Sequence, residues 1–173
     1  MPDFEAAPIA VQPATPADIP VIIELAEATW EPTYRFIISK EQIDYMYRVI
    51  YTPASLARQM QDDGHRFLLL HYDGYPAGYA SYSERMEEPG VYKLHKLYVL
   101  PSHQGRKLGQ RLVSAVEGAV RMAGGQWLEL NVNRHNPALG FYQHLGFQQH
   151  REEDIPIGPY WMNDYVMRKK LNG

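Results

Sequence analysis

Residues 92–111, YKLHKLYVLPSHQGRKLGQR, decide the fold. Up to Val99 the run has the apolar alternation of a strand. Pro101 breaks it, because proline cannot donate to a sheet ladder. Gln104-Gly105-Arg106-Lys107-Leu108-Gly109 then open directly into an amphipathic helix, expected over 104–123. Leu108, Leu112, Ala115, Val116, Ala119 and Val120 lie on one face of it. A short loop at this place turns several backbone N–H groups toward one point at the positive end of the helix dipole. That is a site for a diphosphate, so the chain reads as an enzyme that holds a phosphate-bearing cofactor.

Working outward, residues 8–12 predict a short first strand. Thr15 caps a helix, with Pro16 in its first turn and Asp18 three residues past the cap. Residues 29–38, TWEPTYRFII, read as less regular. Ser39 caps a second helix to about Ile50, and Thr52-Pro53 start a third to about Met60. Strand 66–72, the Asp73-Gly74 turn and strand 75–83 form a hairpin, followed by strand 91–99. After the long helix come strand 126–132, a helix from Asn136-Pro137 to about His144, and strands at 147–151 and 160–169. This order predicts an α/β (α+β) domain spanning 1–173, its central sheet covered by helices on both faces.

Composition narrows the function classes. The 173 residues are 45% hydrophobic and 21% charged, with net charge −3. No broad basic field for nucleic acid is implied, and a cationic substrate is favoured over an anionic one. There is no cysteine, which excludes disulfides, thiolate metal sites and a cysteine nucleophile. If the chemistry needs a thiol, a cofactor must bring it. The N-terminal stretch MPDFEAAPIAV has acids and prolines and does not read as a signal sequence. No run approaches the ~18 apolar residues of a membrane span, and a cytoplasmic protein is expected.

Two further stretches join the loop. The strand QWLELNV leads into Asn133 and Asn136, and PALGFYQHLGF carries Tyr142 and ends at Gly146-Phe147. Together with Leu97 to Pro101 and Gln104 to Gly109, they resemble the two signatures of the GCN5-related N-acetyltransferases (GNAT). The resemblance covers most of the chain, since the order of elements also agrees. It implies a mixed, mostly antiparallel sheet that splays between the strands at about 91–99 and 126–132, and acetyl-CoA as co-substrate. Lys107 stands where the family's loop usually has glycine. It is tolerable there if already helical, since the right-handed region needs no glycine, and its ammonium is a charge partner for phosphate.

The resemblance also implies roles. The N–H groups of Arg106, Lys107, Leu108 and Gly109 cradle the diphosphate, with Gln104 and Gly105 shaping the loop. Leu97, Tyr98 and Val99 offer an open strand edge to the pantetheine arm, and a backbone N–H near Val99 steadies the thioester oxyanion. Asn136 or Asn133 hydrogen-bonds the arm; helix capping is the alternative for both. Tyr142 resembles the general acid that meets the departing thiolate, with core packing beside Phe141 as the alternative. The family's usual basic glutamate falls on Lys93, which cannot serve while charged. His95, two residues on and on the same face by strand alternation, resembles the histidine of the arylalkylamine acetyltransferases and would titrate near neutrality. A water chain to Glu84 or to a backbone carbonyl is the competing base.

The acceptor is expected against 29–51 and 75–84. Trp30, Tyr34, Tyr45, Tyr47 and Tyr82 are candidates for an aromatic wall, and Glu31, Glu84 and Asp164 for holding a cation. TW-x-x-TY, IYTPASLARQM and DYVMRKKL look like the bacterial polyamine and diamine acetyltransferases. That favours a small primary amine such as a polyamine, with a peptide N-terminus or lysine as rival. A homodimer is in keeping with the resemblance; no metal, membrane or nucleic acid is expected. A non-catalytic acyl-CoA sensor on the same fold is the alternative from another class. A nucleotide-binding loop ranks below both, since G-x-x-x-x-G-K-[ST] is missing.

Overall fold

The computed structural model describes residues 7–171, so the part of the N-terminal reading that concerns residues 1–6 lies outside the described residues. Strand β1 (Ile9–Pro13) leads into a 3-10 turn at Pro16–Asp18 and then α1 (Ile19–Tyr34), α2 (Lys40–Ile50) and α3 (Pro53–Gln61). Strands β2 (Arg66–Tyr72), β3 (Tyr75–Glu84) and β4 (Val91–Val99) follow. The chain ends with α4 (Leu108–Met122), β5 (Trp127–Asn133), α5 (Ala138–His144), β6 (Gln148–Ile157) and β7 (Tyr160–Lys170).

Capping chemistry sets the helix starts. The Thr15 N–H donates to the Asp18 carboxylate at 2.8 Å, closing the 3-10 turn. Ser39 accepts from the Gln42 N–H and Thr52 from the Ser55 N–H, both at 3.1 Å. The irregular reading of 29–38 is corrected: α1 runs through Pro32 to Tyr34, because Thr29 and Trp30 are buried against the sheet and packing overrides local propensity. The fourth helix is shorter than expected, since residues 104–107 form a loop before it.

The strands form one sheet in the order β1-β2-β3-β4-β5-β7-β6, antiparallel except for the parallel β4–β5 pair. That pair is short. Val91 to Leu94 match Trp127 to Leu130, and from His95 onward β4 has no partner on that side. The sheet therefore splays where the resemblance implied. One face packs on α4 and α5 through residues such as Leu94, Leu112, Val116 and Leu130. The other packs on α1, α2 and α3 through Ile22, Leu25, Met46, Leu56 and Tyr79. A β-bulge interrupts β4: Tyr82 opposes Leu94 and Ser81 opposes Lys96, so His95 is the extra residue.

The outer end of β5 is held by ion pairs. Glu129, 1% exposed, accepts from Arg168 Nε at 2.8 Å and from Arg85 Nη1 at 3.1 Å. Arg168 also binds Glu88, and that carboxylate raises the guanidinium's affinity for its proton. On the opposite face, buried Glu117 of α4 pairs with Lys169 of β7 at 2.8 Å. These charges are neutralised pairwise, the condition under which burial is tolerated.

Candidate active site

The splay opens two clefts that meet. The first, about 570 Å³, runs between the 104–109 loop and α5 and is lined by Leu97, Val99, Gln104, Lys107, Gly109 and Tyr142. The second, about 530 Å³, lies on the α1–α2 side and is lined by Trp30, Tyr34, Tyr98, Asn133, Tyr142 and Asp164, among others. Leu97, Val99, Gln104 and Tyr142 belong to both.

In the loop, Gly105 has φ +85° and Lys107 φ +59°. The condition of a helical backbone at Lys107 is not met: the residue is left-handed and caps α4 with its backbone. The turn must reverse twice before the helix begins, and a side chain in this region costs roughly 1 kcal/mol. Among the described residues, no backbone carbonyl accepts from the N–H groups of residues 105–110. An alternation of this kind leaves N–H groups pointing into a concavity, where they meet the start of α4. Gly109 faces α5 so closely that a Cβ would lie 3.3 Å from Phe141 Cζ. These residues fit the diphosphate of coenzyme A, and the free edge of residues 95–99 fits its amide-bearing arm. The Arg106 guanidinium lies over the Tyr72 ring at 4.8 Å, which leaves its backbone N–H as its contribution to the concavity.

Asn133 and Asn136 both reach the second cleft, yet each already serves the backbone. Asn133 accepts from the His135 N–H and Asn136 from the Ala138 N–H, each at 2.9 Å. Their Oδ1 atoms therefore act in turns and caps, which leaves the amide N–H groups to donate. Tyr142 sits where the clefts join, edge-on to Phe141 and Phe147. Burial, then the nearby Tyr34, pushes its phenol well above the ordinary range, so it holds its proton at neutral pH.

His95 lines the second cleft, but the expectation of a titration near neutrality is not met. Its Nε2 lies 2.7 Å from Ser83 Oγ, and its ring stacks on His65 at 3.9 Å. Burial first, then His65, Lys93 and Lys96, lowers its pKa to about 2. The imidazole is neutral and a weak base. Glu84 lines none of these clefts; it stands at the end of β3 in register with Tyr92. Tyr82 faces the α4 side, Tyr45 packs on Tyr160, and Glu31 pairs with Arg35 at 3.2 Å. Tyr34 and Trp30 stay at the site: the Tyr34 hydroxyl meets that of Tyr98 at 2.8 Å, and its ring lies 4.8 Å from Trp30.

Asp164 is the acid that remains. It is 5% exposed, and β7 places it opposite Asn133. Its Oδ2 is 3.4 Å from the Asn131 amide, while the buried Oδ1 has no hydrogen-bond partner. Burial raises its pKa, and its charge in turn helps raise that of Tyr34. Sequence reading named Asp164 only among three acids. What singles it out is its register on the inner face of β7.

The sequence profile of the acetyltransferase (GNAT) domain matches residues 37–162. An uncharacterised N-acetyltransferase of Mycobacterium tuberculosis is 31% identical over 119 residues, 68% of this chain and 75% of the relative. A spermidine N(1)-acetyltransferase of Thermoplasma acidophilum is 25% identical, covering 88% of this chain and 91% of its own. The crystal structure of the PaiA N-acetyltransferase of T. acidophilum in complex with coenzyme A superposes with a TM-score of 0.79 at 25% identity, over 94% of this chain and 99% of that one. A profile match across most of the sheet, on a fold splayed between β4 and β5, means that the chain belongs to the GCN5-related N-acetyltransferases.

Proposed function

We propose that this acetyltransferase moves the acetyl group of acetyl-CoA to a primary amine, by direct attack of the amine on the thioester. The observation that supports this reading is the junction of the two clefts at Tyr142. One cleft has the unengaged N–H groups that a diphosphate needs. The other has aromatic walls and a single buried carboxylate. Acetyl-CoA supplies the activated acyl group and carries the thiol that the chain lacks.

The residues then divide the work. The loop 104–109 binds the diphosphate, and residues 97–99 align the arm. Asp164 holds the incoming ammonium and takes a proton from it, which exposes the nitrogen lone pair. The N–C bond forms as the C–S bond breaks, and Tyr142 gives its proton to the departing thiolate. His95 stays neutral and fixes the wall through Ser83. The spermidine acetyltransferase among the relatives supports a small amine as acceptor; the charge of the inner cleft narrows the choice further, as argued below.

Calorimetry with CoA and with ATP-Mg, followed by a thiol-release assay over primary amines, tests the proposal. CoA should bind and ATP-Mg should not, and release should depend on the amine. Tight CoA binding with no turnover of any amine would leave a sensor, not an enzyme.

A further inference from the structure

The acceptor cleft does not stop at Tyr98. It continues into a third hollow of about 450 Å³ between α2, α3, β4 and β6. His95, Lys96, Tyr98 and Asn131 line both parts, so the two are continuous. The charges facing this hollow are Lys93, Lys96 and Arg58 against one acid, Asp63.

Lys96 is the unusual member. It is 8% exposed, turned inward by the β4 bulge. Its Nζ donates to the neutral Gln59 Oε1 at 2.6 Å and stands over the rings of Phe67 and Tyr51, 5.4 and 6.0 Å from their centroids. Elsewhere the protein closes its partly buried cations with carboxylates: Lys169 on Glu117, and Arg168 on Glu88 and Glu129. Among the described residues, no carboxylate lies within 4.0 Å of Lys96, Lys93 or Arg58. A buried ammonium with only neutral partners is costly, and an anion beside it recovers part of that cost. His65 and His95 feel the same field: after burial, Lys93 and Lys96 are among the causes that lower both.

Resting on the acetyl-transfer reading, we infer that the acceptor carries an acidic group close to its amine, as an amino acid or a related small amino carboxylate does. Asp164 receives its ammonium; Lys96 and Lys93, with Arg58 at the rim, receive its carboxylate. The two ends are near one another. Asn131 touches Asp164 with its amide and also lines the cationic hollow, so a single side chain bridges them. That spacing suits an amine and a carboxylate a few bonds apart. A polyamine would set a second ammonium among three cations, a repulsion that discriminates against it.

Matched acceptors test this. Thiol release from acetyl-CoA is measured with a panel of L-amino acids, their carboxamides, putrescine and spermidine. We expect kcat/KM for the best amino acid to exceed that of its carboxamide by at least about tenfold, roughly 1.4 kcal/mol. Lys93→Gln and Lys96→Met should each bring the ratio of acid to carboxamide kcat/KM toward one. Should Lys96→Met fail to fold, the partly exposed Lys93→Gln still decides. Equal rates for acid and amide, or preference for spermidine, overturns the inference. If no acceptor turns over, N-acetylated amino acids are titrated into CoA-loaded protein, and absence of binding overturns it equally. Failure of CoA itself to bind would instead strike at the acetyl-transfer reading.

Discussion

Tyr142, Asp164 and His95 show how differently three polar side chains behave in one cleft. Burial raises Tyr142 and Asp164 and lowers His95, in each case by penalising the charged form. At neutral pH the Tyr142 phenol keeps its proton and the His95 imidazole stays neutral. Tyr142→Phe should lower kcat by about 10- to 1000-fold with CoA affinity unchanged in calorimetry. Asp164→Asn should lower kcat/KM and remove the acidic limb of its pH profile, because the carboxyl must be ionised to take a proton. The charges that set that limb are Lys93 and Arg134, which lower the Asp164 pKa, and Glu153, which raises it. His95→Gln, by contrast, should leave the limb where it is.

At the level of elements, the 104–109 loop and the β4 bulge carry the site. The loop works through its backbone, so its sensitive positions are conformational. Gly105, at φ +85°, has nothing within 4 Å of where a Cβ would stand. Gly105→Val therefore meets no clash, but a β-branched residue resists that φ. The expected result is at least a tenfold loss of CoA affinity by calorimetry, with the thermal midpoint falling by only a few degrees. Unchanged affinity would mean that the loop's N–H groups do not hold the diphosphate. The bulge shifts the alternation by one residue, which brings His95 and Lys96 to the same side and creates the cationic hollow. Whole-chain charge does not reveal this: a net charge of −3 coexists with a hollow lined by Arg58, Lys93 and Lys96 against Asp63.

For the molecule as a whole, the buried bases shape stability against pH. His65 and His95 resist protonation in the fold down to about 4 and about 2, whereas the unfolded chain takes up those protons near 6.5. The unfolded state then binds more protons, so stability falls as pH drops below about 6.5. Both histidines contribute down to about pH 4 and only His95 below it. Asp164, raised in the fold, works in the opposite direction at the acid end. Lys96, lowered from 10.5 to about 8, makes stability rise again above about pH 8 until the buried tyrosines begin to oppose it near 10. Urea midpoints across pH 4 to 10 check this: the double change His65→Gln, His95→Gln should flatten the acid side, and Lys96→Met the alkaline rise.

The chain's linear pattern was enough for the order of elements, the helix caps at Ser39 and Thr52, and the loop that opens α4. Each of these depends on neighbours within a few residues, so the local chemistry of caps, turns and short loops is written in consecutive letters. Lys107's left-handed backbone, the inward turn of Lys96, and the burial of Asp164 in the cleft that Glu31 and Glu84 do not line depend on partners far along the chain. A bulge is a mismatch between two strands, and an orphaned carboxylate is defined by what surrounds it. Periodicity treats β4 as an even alternation, and only its pairing with β3 reveals the extra residue. Tertiary packing decides which charges are buried and which are answered by an opposite charge, and no run of consecutive residues encodes that.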